Sequence, residues 1–105
     1  MFSYHVARLR HEITFAPEAL DDVKRLQRAE ARTILDAIEL HLRHEPEMIS
    51  KSRIKRLREL HSPQYRLRID DWRVFYDVTE GNVLIRGVVK KSDTNKWLAQ
   101  FGEPS

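Results

Sequence analysis

Three arginines near the middle of the chain, Arg66, Arg68 and Arg73, have a spacing that could hold an anion. Apolar and polar residues alternate on both sides of Asp70-Asp71, which is typical of two half-buried strands joined by a tight turn. If the turn is these two residues, Arg68 lies directly opposite Arg73. Like charges opposite one another destabilise a sheet, whereas the guanidinium fork suits phosphate oxygens. The pattern predicts a phosphate-binding face, and the alternative is a solvated face whose arginines pair with carboxylates elsewhere.

The other side of this predicted hairpin is apolar and is expected to face a core. The expected cross-strand pairs on that side are Ile69 with Trp72, Leu67 with Val74, and Tyr65 with Tyr76. A turn at Glu80-Gly81 then predicts a third strand over residues 82–90. Its expected pairs are Val78 with Val83, Tyr76 with Ile85 and Trp72 with Val89 on the core side, and Phe75 with Arg86 and Asp71 with Lys90 on the other.

This register sets the ring of Phe75 between Arg66 and Arg86, beside the other two arginines. An aromatic ring among guanidinium groups is how many proteins stack a base while holding its backbone. The hairpin and the third strand together therefore favour a nucleic-acid-binding surface, provided that both turns have two residues.

The remaining elements are expected to support this sheet. A strand is predicted to end at Phe15, and a helix to begin at Ala16-Pro17-Glu18, because proline and acidic residues suit a first turn. A second helix follows a break near Gln27-Arg28 and ends before Pro46. The predicted fold is α+β: one domain over residues 1–105, with a three- or four-stranded, mainly antiparallel sheet, an N-terminal helical hairpin on its apolar face and a short C-terminal helix.

The short C-terminal helix is predicted over residues 94–101, and Gly102 suits its end. Trp97, Leu98 and Phe101 share one face of it. Such a face is expected to pack on its own domain, and the alternative is a surface for a partner or ligand.

Composition limits the class of protein. The chain has 105 residues, of which 41% are hydrophobic and 33% charged, and no apolar run approaches the length of a membrane span. It has no cysteine, which excludes disulfides and thiolate metal sites and is expected of a cytoplasmic protein. His41 and His44 have a spacing that could bind a metal, but no further ligand is evident nearby. We therefore expect no metal and no cofactor.

The basic charge is concentrated in one part of the chain. The net charge is +3, but residues 48–73 carry eight Lys and Arg against three Asp and Glu, whereas residues 1–47 carry seven against nine. We therefore expect a polyanionic partner on the side of the hairpin. In the long connection over residues 47–63, Lys55 and Arg58 are candidates for contacts with a nucleic-acid backbone. His61 in the same connection could carry protons near neutral pH, or be a surface group.

The order of elements and three motifs resemble the RelE/ParE toxin superfamily of type II toxin–antitoxin systems, and its RelE-like branch in particular. The motifs are Phe15-Ala-Pro-Glu-Ala-Leu, Tyr65-Arg-Leu-Arg-Ile-Asp-Asp-Trp-Arg-Val-Phe-Tyr, and Val88-Val-Lys-Lys followed by Trp97. The resemblance covers the chain after about residue 11. It implies a toxin that is neutralised by a small antitoxin protein wrapping around it. RelE-like members cut mRNA on the ribosome, and ParE-like members poison DNA gyrase.

The resemblance also implies roles for individual residues. Arg66 and Arg68 match two RelE lysines that contact RNA and assist the chemistry, and Arg73 matches an arginine that stabilises charge at the scissile phosphate. Lys91, or Lys90 beside it, matches a later arginine that helps the leaving group. Trp97 stands where RelE has a tyrosine that orients the reacting nucleotide, and indole has no ionisable hydroxyl.

The function expected from these features is that of a toxin that inhibits translation as a metal-independent mRNA endoribonuclease. Its catalytic residues would be Arg66, Arg68, Arg73 and Lys91, and its RNA-binding residues Lys55, Arg58, Phe75, Arg86, Lys90 and Trp97. Two alternatives remain: a ParE-like gyrase inhibitor, and an inert regulator that binds its antitoxin and, through that complex, operator DNA. The expected partners are an antitoxin, mRNA on the ribosome and operator DNA, with no membrane.

Overall fold

The computed structural model describes residues 10–105, and residues 1–9 of the predicted domain lie outside this range. The strands in the described range are β1 (Glu12–Phe15), β2 (Ile54–Arg56), β3 (Leu60–Ser62), β4 (Tyr65–Ile69), β5 (Trp72–Thr79), β6 (Asn82–Lys90) and β7 (Glu103–Pro104). The helices are α1 (Pro17–Lys24), α2 (Arg28–Leu42) and α3 (Thr94–Phe101), which follows a 3-10 turn at Lys91–Asp93. The predicted α+β class is confirmed. Within residues 10–105, no helix has both the length and the apolar character that crossing a bilayer requires.

Five strands form the main sheet in the order β1-β6-β5-β4-β2, and β3 pairs with β7 in a separate two-stranded sheet. Every pair in the main sheet is antiparallel except β1 with β6. The prediction of three or four strands was wrong because the connection over residues 47–63 was interpreted as a loop. Its residues Ile54–Arg56 instead form an edge strand, in which Ile54 is buried and pairs with Leu67.

The β4–β5 hairpin has the predicted register. Leu67 pairs with Val74 and Arg68 with Arg73, and the loop consists of Asp70-Asp71 alone. Asp70 has a φ of 49°, a left-handed conformation that aspartate tolerates better than most residues do. This turn fixes which side chains share a face, because a slip by one residue would reverse the whole strand.

The β5–β6 pairing departs from the prediction at a bulge. Tyr76 pairs with Ile85 as expected, but Phe75 pairs with Gly87, so Arg86 is the extra residue. Trp72 consequently pairs with Lys90. The predicted partners of three residues were therefore wrong by one position: Arg86 for Phe75, Val89 for Trp72, and Lys90 for Asp71. A bulge inserts a residue without changing the alternation on either side, so the sequence pattern did not reveal it.

Helices α1 and α2 cover one face of the sheet and bury its apolar side chains. Leu67, Val74 and Tyr76 are fully buried there with Ile34 of α2. Glu30 accepts a hydrogen bond from the backbone N–H of Gln27, and the Gln27 side chain caps the first turn of α2. This reciprocal cap explains why the chain breaks at the predicted position without a glycine or proline.

Helix α3 lies on the opposite face, over the middle of β5 and β6. The indole of Trp97 stacks on Phe75, with ring centroids 4.8 Å apart and planes inclined by 8°, and Phe101 contacts it from the side. Both stacked residues are buried. The close approach requires Gly87, because a Cβ there would lie 2.5 Å from carbon atoms of the Trp97 ring.

We predict that Gly87→Ala destabilises the fold by displacing Trp97. Overpacking of this kind costs about 1–3 kcal/mol, so the melting temperature should fall and the tryptophan fluorescence should change. In Trp97→Leu, whose smaller side chain leaves room for the methyl group, the same glycine substitution should cost much less. Equal losses in both backgrounds would show that Gly87 is needed for another reason.

The free edge of β6 beyond its pairing with β1 is closed by Asp22 of α1. The Asp22 carboxylate accepts a hydrogen bond from the backbone N–H of Val88 at 3.0 Å and pairs with Arg25 at 2.7 Å. Burial nevertheless raises the pKa of Asp22, because desolvation outweighs the stabilising hydrogen bond and the charge of Arg25.

We predict that Asp22→Asn stabilises the protein at neutral pH. A raised folded-state pKa means that the folded state binds the proton more tightly, so wild-type stability falls as pH rises above the unfolded value of about 3.9. The amide retains an oxygen acceptor for Val88 and carries no charge to desolvate. The difference in unfolding free energy between variant and wild type should vanish at acidic pH and grow towards neutrality. A difference that is independent of pH would contradict this account.

Candidate anion-binding site on the sheet

The face of the sheet that α3 leaves open carries the three predicted arginines together. Arg66 and Arg68 alternate with buried residues along β4, and Arg73 is the cross-strand partner of Arg68. The structure therefore brings the three together on one face, as the two-residue turn requires. We call Arg66, Arg68 and Arg73 the arginine trio.

Arg73 is the anchored member of the arginine trio. It is 5% exposed, and its Nη1 atom donates hydrogen bonds of 2.8 Å to the backbone oxygens of Asp70 and Trp72. Burial lowers the pKa of Arg73, and the neighbouring charge of Arg68 lowers it further. One side of the guanidinium is thus occupied by the turn, and its position is fixed.

Arg66 and Arg68 are less constrained. Arg66 is half-buried, and its Nε atom is buried with no hydrogen-bond partner among the described residues. Burial lowers the pKa of Arg66, as do Arg73 and Arg68. Arg68 is exposed at its side chain. An unpaired buried donor beside two like charges is a position at which an anion would be stabilised.

The described residues supply the arginine trio with no ion pair. Their salt bridges involve Arg25, Arg43, Arg86 and Lys90 instead. Asp71 is the one carboxylate whose charge raises the pKa of Arg73, and its effect is smaller than those of burial and Arg68. The alternative of a solvated face with carboxylate partners is therefore not what residues 10–105 form.

The edge strand extends the positive face. Lys55 is exposed and pairs in register with Arg66. Arg53 lies beside Arg68, whose backbone N–H donates to the oxygen of Arg53 at 2.8 Å. Arg53 is not among the residues predicted for the site. Arg53 reaches Arg68 only because β2 pairs with β4. The cluster of cations around Arg53 was the only feature of the sequence that pointed to it.

The predicted stacking rings are not available on this face. Phe75 is fully buried beneath Trp97, which is itself 6% exposed. Each ring has the other as its stacking partner, and the expectation that Phe75 and Trp97 contact a nucleotide stays a prediction, which this packing does not favour. The prediction that the C-terminal helix packs its apolar face on its own domain is confirmed for Trp97.

Arg86 is also not part of the arginine trio. The bulge directs it to a network in which Asp77, Glu18 and Glu103 lie within 3.2–3.6 Å of its guanidinium nitrogens. Ser62 accepts a further hydrogen bond from Arg86 and donates one to Asp77. The charge of Arg86 is compensated within the fold, which does not favour its predicted RNA-binding role, and that role stays a prediction.

The two lysines at the end of β6 occupy different positions. Lys90 pairs with Trp72, and its Nζ lies 4.7 Å from the centroid of that ring and 3.9 Å from Asp71. It therefore lies on the face opposite the arginine trio, and its predicted RNA-binding role stays a prediction. Lys91 is exposed, and its backbone N–H donates to the oxygen of Asp71, which places it beside the β4–β5 turn.

The histidines are not assembled into a metal centre. Within residues 10–105, no group of three or more His, Asp or Glu side chains could hold a metal ion. His41 is partly buried, and burial together with Arg53 lowers its pKa. His61 is exposed in β3.

The fold and the site define a small toxin of the RelE/ParE superfamily. The sequence profile of the family described as "ParE toxin of type II toxin-antitoxin system, parDE" matches residues 13–94. The chain belongs to this family, which confirms the superfamily predicted from the sequence. No curated protein sequence matches the chain.

Solved structures share the fold. The RelBE2 toxin–antitoxin complex from Mycobacterium tuberculosis matches with a TM-score of 0.68 and 20% identity over 81% of this chain and 95% of that chain. The archaeal RelE–RelB complex from Pyrococcus horikoshii matches with a TM-score of 0.63 and 22% identity over 78% and 96%. YafQ from Escherichia coli matches with a TM-score of 0.54 and 14% identity over 89% and 100%.

We predict that Arg73→Ala lowers the stability of the fold, whereas the substitution of an exposed arginine does not. The substitution removes a buried donor from two turn carbonyls, and such losses cost about 1–3 kcal/mol. Arg68→Ala is the matched control, because Arg68 lies opposite on the same face but is exposed. Its melting temperature should stay unchanged or rise as repulsion is relieved. Equal melting temperatures for wild type and Arg73→Ala would show that the turn does not depend on this arginine.

Proposed function

We propose that the protein is the toxin of a toxin–antitoxin pair and inhibits translation by cutting mRNA on the ribosome. The observation that carries this proposal is the arginine trio, which meets no carboxylate partner among residues 10–105. Uncompensated guanidinium groups on an open sheet face are suited to phosphate oxygens. The activity would take place in the cytoplasm, where ribosomes carry mRNA.

The proposed reaction is attack of a ribose 2′-oxygen on the adjacent phosphorus. The 2′-hydroxyl loses its proton, the bond from phosphorus to the 5′-oxygen breaks, and that oxygen gains a proton. Negative charge accumulates on the phosphate oxygens in between. Arg68 is exposed on this face and would contact these oxygens directly, whereas Arg73, which is buried and fixed by the turn, would add its positive charge from beneath. Arg66 has a free Nε that would complete the contact.

The described residues near the arginine trio include few groups that could transfer a proton in this reaction. Arginine is a poor base because its ordinary pKa lies far above neutrality. Lys91 is exposed beside the β4–β5 turn and is our candidate for protonating the leaving oxygen. The reaction would then rely chiefly on electrostatic stabilisation, with the ribosome holding the mRNA in position.

An antitoxin would act by covering the same face. The Mycobacterium tuberculosis structure is a toxin–antitoxin complex, and the Pyrococcus horikoshii structure is a RelE–RelB complex. For this chain we propose a small antitoxin with an acidic segment that pairs with the arginine trio. Disordered acidic segments can wrap such a surface and order on binding. Operator DNA would be reached through that complex.

Gyrase inhibition is the second candidate, and burial of the aromatic rings favours it. Phe75 and Trp97 stack on each other, so they leave no ring from this pair to orient a nucleotide. The matched family profile is also named for ParE toxins. In this case the arginine trio would be a protein- or DNA-contacting surface without RNA chemistry.

We predict that Arg68→Gln abolishes mRNA cleavage while leaving the fold intact. Loss of one well-placed charge donor typically lowers the rate by about 10²–10³-fold. Cleavage is measured on programmed ribosomes, and supercoiling by purified gyrase is measured in parallel with the same samples. Lys24→Gln, an exposed cation at the end of α1, is the control and should behave as wild type. If the wild-type protein inhibits supercoiling and leaves mRNA intact, it is a gyrase inhibitor and not an endoribonuclease.

A further inference from the structure

A groove of about 510 Å³ lies beside the arginine trio and has no assigned role. Its apolar lining consists of three half-buried leucines: Leu57 after β2, Leu60 in β3 and Leu98 in α3. The groove therefore runs between the edge strand and the C-terminal helix. Its volume lies in the range of sites that hold small organic molecules, or one nucleotide of a chain.

The polar lining of the groove is mainly cationic. Lys55, Arg56 and Arg58 contribute three positive charges against one carboxylate, that of Glu59. Arg56 is engaged, since its Nη1 donates to the oxygen of Gln64 and its guanidinium lies 5.0 Å from a tyrosine ring. Lys55 and Arg58 are exposed and have no ion pair with another described residue.

Lys55 joins the groove to the arginine trio. It lines the groove and is also the cross-strand partner of Arg66, and neighbouring strands are about 4.8 Å apart. A chain bound across the trio therefore meets Lys55 and then the groove without crossing an acidic surface. The side beyond β6 differs, because four carboxylates line the cavity there against two cations: Glu18, Asp21, Asp22 and Asp93 against Arg25 and Lys96.

We propose that this groove is a subsite for one nucleotide of single-stranded RNA flanking the phosphate held by the arginine trio. Its base lies against Leu57, Leu60 and Leu98, and its phosphate lies between Lys55 and Arg58. The inference rests on the proposed function for the identity of the polymer. The groove would bind a second nucleotide, which the arginine trio alone does not hold.

A nucleic acid explains both halves of the lining. A base presents an apolar face to the leucines, and it is tied to a phosphate that needs the cations. An acidic peptide would satisfy the cations as well, and its apolar side chains could reach the leucines. The continuity from Lys55 to Arg66 favours RNA, since a polymer with regularly spaced charges would use both sites at once.

The test is a length series of single-stranded RNA oligonucleotides with 2′-O-methyl groups on every ribose, which prevents attack by the 2′-oxygen. Affinity for the isolated protein is measured as nucleotides are added to either end. We expect one added nucleotide to raise affinity by about fivefold, which corresponds to roughly 40 Å² of apolar surface removed from water. In Leu98→Ser this step should disappear, while the affinity for shorter oligonucleotides stays unchanged.

Two further variants keep the test decisive. Leu40→Ser is the matched control, because Leu40 is 77% exposed on α2 and lies outside the groove; it should retain the step. Arg58→Gln tests the cationic side of the groove, and it leaves the packing intact because Arg58 is exposed. It should weaken binding of the longer oligonucleotide and reduce the slope of log affinity against log salt by about one.

The outcomes separate the subsite from the endoribonuclease. A step that is lost in the groove variants but kept in Leu40→Ser supports the subsite, even if no mRNA is cut. Absence of the step in wild type, or its survival in both Leu98→Ser and Arg58→Gln, overturns the subsite even if mRNA is cut. Binding of an acidic amphipathic peptide that depends on Leu98, without any binding of the oligonucleotides, assigns the groove to a protein partner and also overturns it.

Discussion

The whole arrangement depends on two arginines held opposite one another across the β4–β5 hairpin. Arg68 and Arg73 form a cross-strand pair of like charges, which by itself opposes pairing of the strands. The hairpin accommodates the pair because the two side chains have different environments. Arg73 is buried and donates to the oxygens of Asp70 and Trp72, whereas Arg68 reaches solvent. The same contact that stabilises the turn therefore presents a positively charged surface to solvent.

The two faces of the sheet show what the sequence could and could not predict. Alternation around Asp70-Asp71 was enough to predict the register, and with it the joint position of Arg66, Arg68 and Arg73, because strand periodicity has only two phases. The bulge at Arg86 was not predictable in this way. The inserted residue shifts the phase of alternation, so the core side takes Val83 and Ile85 before the bulge and Val88 after it. Because Val88 and Val89 are both apolar, the sequence fits either phase.

The packing of the aromatic residues could be predicted only in part, for a related reason. Phe75 lies on the arginine face by alternation, and that much was correct. Its burial depends on Gly87 and Trp97, which are distant in sequence and meet it only after α3 has docked. The apolar face of α3 predicted packing, but not the residue on which it packs. The resemblance to RelE assigned Trp97 to the nucleotide, whereas its neighbours in this chain assign it to the core.

The positions of the carboxylates determine which cations have an ion pair and which remain unpaired and can bind an anion. Arg86 has Asp77, Glu18 and Glu103 around it, so its charge is compensated within the fold. Lys90 lies on the other face, 3.9 Å from Asp71. Arg66 and its neighbours in the arginine trio, together with Lys55, have no such pair among residues 10–105. The excess positive charge of residues 48–73 is thus concentrated on β2, β4 and the start of β5. A polyanion lowers the electrostatic energy of this surface most when it lies across these strands, because that path reaches the arginine trio and Lys55 without passing the acidic side of α1.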